Sequence, residues 1–189
     1  MIGVAGVALT SSSSSSSSTA TGGASAPASA VPFGSPPVAG QSSPATSQSG
    51  SGAGGVGTAF TVDDGSKDTY RVTLVKVIDP AQGATSFDTP QGGKHFVGAV
   101  FMITAVKGSP QNEDADSDAA LVGSDGQTYT ADFSSIAGYT DFNYGAIKVT
   151  QGESATGAVT FQVPNGVSVS RVQWSPGGGL GTTVQWNVG

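Results

Sequence analysis

From Thr58 onward the chain alternates short apolar runs with turn signals, and no stretch sustains a 3.6-residue apolar period. That pattern predicts strands throughout. The first is a short one over Ala59–Val62. Thr69–Ile78 follows, with Tyr70, Val72, Leu74 and Ile78 on one face and Arg71 and Thr73 on the other. Asp79-Pro80 is expected to end it, because proline removes a ladder donor. His95–Val106 is the longest run and is apolar on both faces: Phe96, Val100, Met102 and Val106 on one, Val97, Phe101 and Ile103 on the other. This predicts a central strand whose outer side is covered by a loop or neighbour. Ala119–Val122 and Gln127–Ala131 flank Ser124-Asp125-Gly126, a strong hairpin signal. Ala146–Val149, Ala155–Val163, Val167–Trp174 and Thr182–Val188 complete the set.

In the late strands the alternation is clean. Val159, Phe161 and Val163 oppose Thr160 and Gln162, while Val172 and Trp174 oppose Arg171 and Gln173. Val184, Trp186 and Val188 oppose Gln185 and Asn187 in the same way. One face of each packs inward and the other meets water, so both tryptophans are expected to anchor the core. About 8–9 strands with turns every ten or so residues predict an all-β, two-sheet sandwich.

Composition divides the chain in two. Met1–Phe60 holds no charged residue and no histidine, so all 13 acids, all 7 bases and the single His95 follow it. Residues 1–57 are expected to form a disordered tether, since a run from Ser11 to Ser18 and the Ala/Gly/Ser/Pro stretch after it have little to bury. Residues 58–189 form the domain. The apolar start, Met1–Thr10, is like the core of a signal peptide without its basic n-region, so the expectation is a basic region or the rest of a membrane segment upstream.

Charge and cysteine count narrow the chemistry. A net charge of −6 with scattered bases excludes nucleic acid as an expected partner and disfavours an anionic membrane, except through an upstream anchor. With no cysteine, disulfides, thiolate catalysis and Cys-ligated metal are excluded. No cofactor is expected.

Four segments carry a family resemblance. They are Tyr70-Arg71-Val72-Thr73-Leu74-Val75-Lys76-Val77 followed by Asp79-Pro80; Gly93–Thr104 with its Gly-Lys-His-Phe-Val opening; Ser124-Asp125-Gly126-Gln127-Thr128-Tyr129; and Gln151–Pro164. In this order and spacing the domain resembles the MPT63-like secreted bacterial immunoglobulin-like family and the related DUF4352 (telokin-like) domains. Ala105 departs from the family's usual Asn at the end of its strand. The resemblance implies an immunoglobulin-like antiparallel β-sandwich, secreted or tethered at the cell surface, from a family with no established enzymatic activity and no catalytic signature to carry over. The cysteine that anchors the family's lipoprotein members is missing.

Two clusters invite a binding role. Asp114, Asp116 and Asp118, with Asp125, match EF-hand positions 1, 3, 5 and 12, although position 6 is Ala119 rather than Gly and flanking helices are missing. They make a candidate weak Ca²⁺ loop, against the plainer reading of a solvated loop. Tyr129, Phe133, Tyr139, Phe142 and Tyr144 form a candidate platform for glycan or peptide, against the plainer reading that they cover an open end of the sandwich. His95 has no evident catalytic partner, and no Gly-x-Ser-x-Gly elbow exists. Gly177-Gly178-Gly179 lacks the lysine and helix of a phosphate loop. The expected function is an extracytoplasmic recognition or scaffold module with an unknown protein or cell-wall partner. The alternative is a cell-envelope enzyme or accessory domain, which a polar pocket near His95 would favour.

Overall fold

The computed structural model describes residues 47–49, 52–65, 67–108, 113–142 and 146–189, with backbone alone at 47–49, 113, 114 and 146. Its strands are β1 (Ser47–Ser49), β2 (Ala53–Gly55), β3 (Ala59–Asp63), β4 (Thr69–Ala81), β5 (Lys94–Lys107) and β6 (Glu113–Asp114). After one helical turn, α1 (Ala115–Asp118), come β7 (Ala119–Gly123), β8 (Thr128–Asp132), β9 (Ala146–Ile147), β10 (Ser154–Pro164), β11 (Val169–Trp174) and β12 (Val184–Asn187).

Ten strands run in the order β1-β3-β4-β5-β10-β8-β7-β11-β12-β2, and β6 pairs with β9 separately. The long sheet is bent at β8. Its first residues, Thr128–Thr130, pair with β7, and Ala131 and Asp132 pair with β10. A strand that changes partners in this way makes a corner between two facing sheets. Between the sheets lies the main core. Phe60, Tyr70, Leu74, Phe101 and Phe161 come from one side, and Leu121, Val172, Trp174, Val184 and Trp186 from the other. Both tryptophans are fully buried, as the alternation predicts. Trp174 meets Phe101 edge-on at 4.9 Å, and Trp186 meets Phe60 at 5.3 Å. Each indole N–H is satisfied, Trp174 Nε1 donating to Tyr70 Oη and Trp186 Nε1 to the Thr58 carbonyl, both at 2.8 Å.

The structure corrects four expectations. β4 carries a bulge between Leu74 and Lys76, which reverses the side-chain phase. Val75 is therefore exposed, Val77 joins the main core, and Ile78 leaves the face it was expected to share with Leu74. Pro80 does not end β4, because a second register shift between Ile78 and Ala81 leaves it outside the regular ladder. Thr160 is buried rather than wet, since a loop covers its face of the sheet. Finally, strands lie upstream of residue 58: β1 adds in parallel to β3, and β2 in parallel to β12. β1 and β2 thus cover the outermost strand of each sheet. Among the described residues, no helix is long and apolar enough to cross a membrane.

Candidate functional site

The outer face of β5 and β10 is apolar, and two loops are fastened over it. Phe96, Val100 and Ala158 of these strands gather with Ile136, and Ile78, Ala81 and Tyr139 pack around them. This is the cover that the two-faced apolar pattern of the longest strand predicts. Gly98 and Gly157 make room for it. A Cβ on Gly98 would run into the Ile136 side chain, and one on Gly157 into the Phe142 ring and the Thr140 carbonyl.

The covering loops, 82–93 and 133–142, also hold each other. Ala84 N–H donates to the Ser135 carbonyl and Ala137 N–H to the Gln82 carbonyl, each at 2.9 Å. Asp88 ties the pair together: Oδ1 accepts from Ser135 N–H at 3.0 Å, and Oδ2 from the Thr85 backbone and hydroxyl at 2.9 and 2.6 Å. These bonds hold its carboxyl below the usual range, the Thr85 hydroxyl contributing most. Ser135 Oγ in turn donates to Asp141 at 2.5 Å. On this frame two bulky apolar rings stand in water, Phe87 at 93% exposure and Phe133 at 62%.

The five aromatics named from the sequence do not share one surface. Phe142 is buried in the main core, which removes it from the expected platform. It is the ring that seals the loop end beside Gly157. Tyr139 is half-buried against the outer cluster, with Lys76 Nζ 4.9 Å above its ring. Tyr129 packs partly on the main core and donates its hydroxyl to Asp125 Oδ2 at 2.7 Å. Of the described four, Phe133 alone is presented to solvent; Tyr144 lies outside the described residues. Phe87, which the sequence grouping passed over because it stands apart in the chain, is the most exposed ring among the described residues.

The acidic candidates are likewise dispersed. Asp125 belongs to the β7–β8 hairpin, where hydrogen bonds from Tyr129 Oη, the larger influence, and Gln127 N–H hold its carboxyl below the usual range. Asp118 is buried at 3% exposure and accepts from Gly178 N–H at 2.7 Å. Gly177 and Gly178, at φ of 66° and 68°, supply the left-handed backbone that turns this N–H onto the carboxylate. The triple glycine thus wraps an internal acid. Asp116 ends its carboxylate on Ser117 N–H at 2.9 Å, and the side chain of Asp114 lies outside the described residues. Among the described residues, no three His, Cys, Asp or Glu side chains gather to hold a metal ion.

His95 does have a partner. Its Nε2 donates to Asp79 Oδ1 at 2.9 Å, both side chains being partly exposed. The bulge at the end of β4 brings Asp79 beside the start of β5, a placement that spacing alone could not reveal.

Beside the loop frame, where β8 parts from β10, a polar cleft of about 230 Å³ opens. It is lined by Gln91, Lys94, Thr128, Tyr129, Thr130, Ala131, Asp132 and Gln162. Gln162 bridges it: Oε1 accepts from Gln91 N–H at 2.8 Å, and Nε2 donates to Asp132 Oδ2 at 2.6 Å. Burial pushes Asp132 up, but hydrogen bonds from Ser134 and Gln162 and the charge of Lys94 outweigh it and leave its carboxyl below the usual range. A larger recess of about 340 Å³ at the β3–β4 turn holds Asp63, Asp64 and Asp68 against Lys67 and Lys107.

No protein-family profile matches the chain, and no curated protein matches it in sequence. A solved structure shares its fold. MPT63, a secreted protein of Mycobacterium tuberculosis, superposes with a TM-score of 0.51 at 22% identity, over 72% of this chain and 96% of its own. A candidate lipoprotein of Bacillus subtilis, ycdA, gives 0.43 at 12% identity, over 67% of this chain and 38% of its own. This chain therefore shares the fold of MPT63.

Proposed function

We propose that this chain is a non-enzymatic recognition module that works outside the cytoplasm, with the two loops that cover the outer face of β5 and β10 as its contact surface. The observation that carries this reading is the pairing of Phe87 and Phe133, two exposed rings, with loops pinned by Asp88 and by backbone bonds. Two exposed rings on adjoining, mutually bonded loops offer apolar area that a partner can cover. A rigid frame lowers the entropy lost when that happens. The secreted nature of MPT63, which shares the fold, supports the compartment. So does the Ser-rich, uncharged stretch that precedes the domain.

The test is a sedimentation assay of the full chain with isolated envelope material, comparing it with a Phe87→Ser, Phe133→Ser variant. Saturable binding that drops at least about tenfold in the variant is the expected result, since interface energy concentrates in a few aromatic anchors. Equal binding by both proteins would move the contact surface elsewhere.

A further inference from the structure

We infer that the cleft between β8 and β10 takes one ring of a neutral saccharide; this rests on the loop end being the recognition surface and names what that surface recognises. Size comes first. At about 230 Å³ the cleft has the liquid volume of roughly eight waters at ~30 Å³ each, the scale of a single pyranose with its hydroxyls.

Charge comes next. The lining holds one cation, Lys94, and one carboxylate, Asp132, close enough for the lysine to favour the ionised acid. Their charges cancel, so neither an anion nor a cation gains from the cleft as a whole.

The hydrogen-bonding pattern then selects the ligand. Gln162 is held flat by Gln91 and Asp132, using one lone pair of Oε1 and one N–H of Nε2. It keeps one acceptor site and one donor in a common plane. Asp132 has accepting capacity beside them, and Thr128 and Thr130 bring exposed hydroxyls to the rim. A vicinal diol, in which each hydroxyl both donates and accepts, answers a donor and an acceptor held side by side. The apolar C–H face of a sugar also suits an aromatic ring. Tyr129 is the aromatic in the cleft's lining.

The experiment is a titration of the ¹⁵N-labelled full chain, observing the Gln91 and Ser134 backbone amides and the Gln162 side-chain amide. The probes are maltose, cellobiose and N,N′-diacetylchitobiose, with inorganic phosphate as an anionic control, each to about 10 mM, enough to occupy most of a site with Kd near 1 mM. Expected are saturable shifts of these three groups with at least one disaccharide and none with phosphate. Gln162→Met and Thr130→Val, the second being exposed and outside the bridging network, are each expected to weaken binding about five- to tenfold, the value of one well-made hydrogen bond. Silence with all three sugars, shifts caused by phosphate instead, or shifts gathered on another face overturns the saccharide assignment. If envelope binding still depends on Phe87 and Phe133 in that case, the recognition surface stands and only its ligand class falls; if that dependence is also lost, both fall.

Discussion

Asp88 concentrates much of the order in the loop end, because one carboxylate accepts hydrogen bonds from both loops. Its pKa is lowered, as are those of Asp125, Asp132 and Glu153, the last chiefly by the Thr150 hydroxyl. A carboxyl whose folded pKa lies below its unfolded value stabilises the fold above the unfolded pKa, near 4, and stops doing so as pH falls through the folded value. The melting temperature is therefore expected to stay level from about pH 7 to pH 5 and to drop below about pH 4. Asp88→Asn should flatten part of that drop, as read by thermal melts across the pH series. In the core, Trp186→Ala is expected to cost about 3–5 kcal/mol by denaturant unfolding, since it empties the space against Phe60 and Phe101. Phe87→Ser, at a ring almost wholly in water, is expected to change stability by less than about 0.5 kcal/mol.

Among the elements, the contrast between Gly98 and Gly157 tests how the cover is seated. At Gly98 an added methyl meets the end of the Ile136 side chain, which can swing away. At Gly157 it meets the Phe142 ring and a backbone carbonyl, which cannot. Gly157→Ala should therefore cost about 1–3 kcal/mol and Gly98→Ala less, compared by urea midpoints at equal slope. Segment 47–55 offers a second test at this scale. Removing residues 1–55 uncovers the edges of β3 and β12, whose unpaired groups can then accept strands from another copy. The truncated chain should melt lower and show mass growing with concentration in light scattering, whereas the full chain should not.

These elements also show what the sequence discloses. Period-two alternation located both tryptophans, and apolar residues on both faces of the longest strand announced its cover, because burial imposes those patterns directly. The Val75 bulge was not legible, since one extra residue leaves composition unchanged while reversing the phase. Nor was β2, whose Ala-Gly-Gly sequence makes its contribution through backbone hydrogen bonds and not through side chains. The site was less legible than the fold. Clustering in sequence singled out Tyr129 to Tyr144, but the loops divide those rings between core and surface and set Phe87 in the same frame as Phe133. The cleft depends on residues as distant as Gln91 and Gln162, joined across 71 positions.

At the scale of the whole molecule, a sandwich with a filled core leaves its chemistry to loops and edges. The glycine turn wraps Asp118, and the two covering loops are bound to each other and to the sheet. In the proposed recognition module, the loop pair and the adjoining cleft are where a partner is met. Hydrogen exchange of the full chain, with and without saturating envelope material, reads place directly. Slowed exchange confined to residues 82–93, 128–142 and the 162 region is expected. Protection at the β3–β4 turn or along β12 instead, with these loops unchanged, would place the contact surface elsewhere.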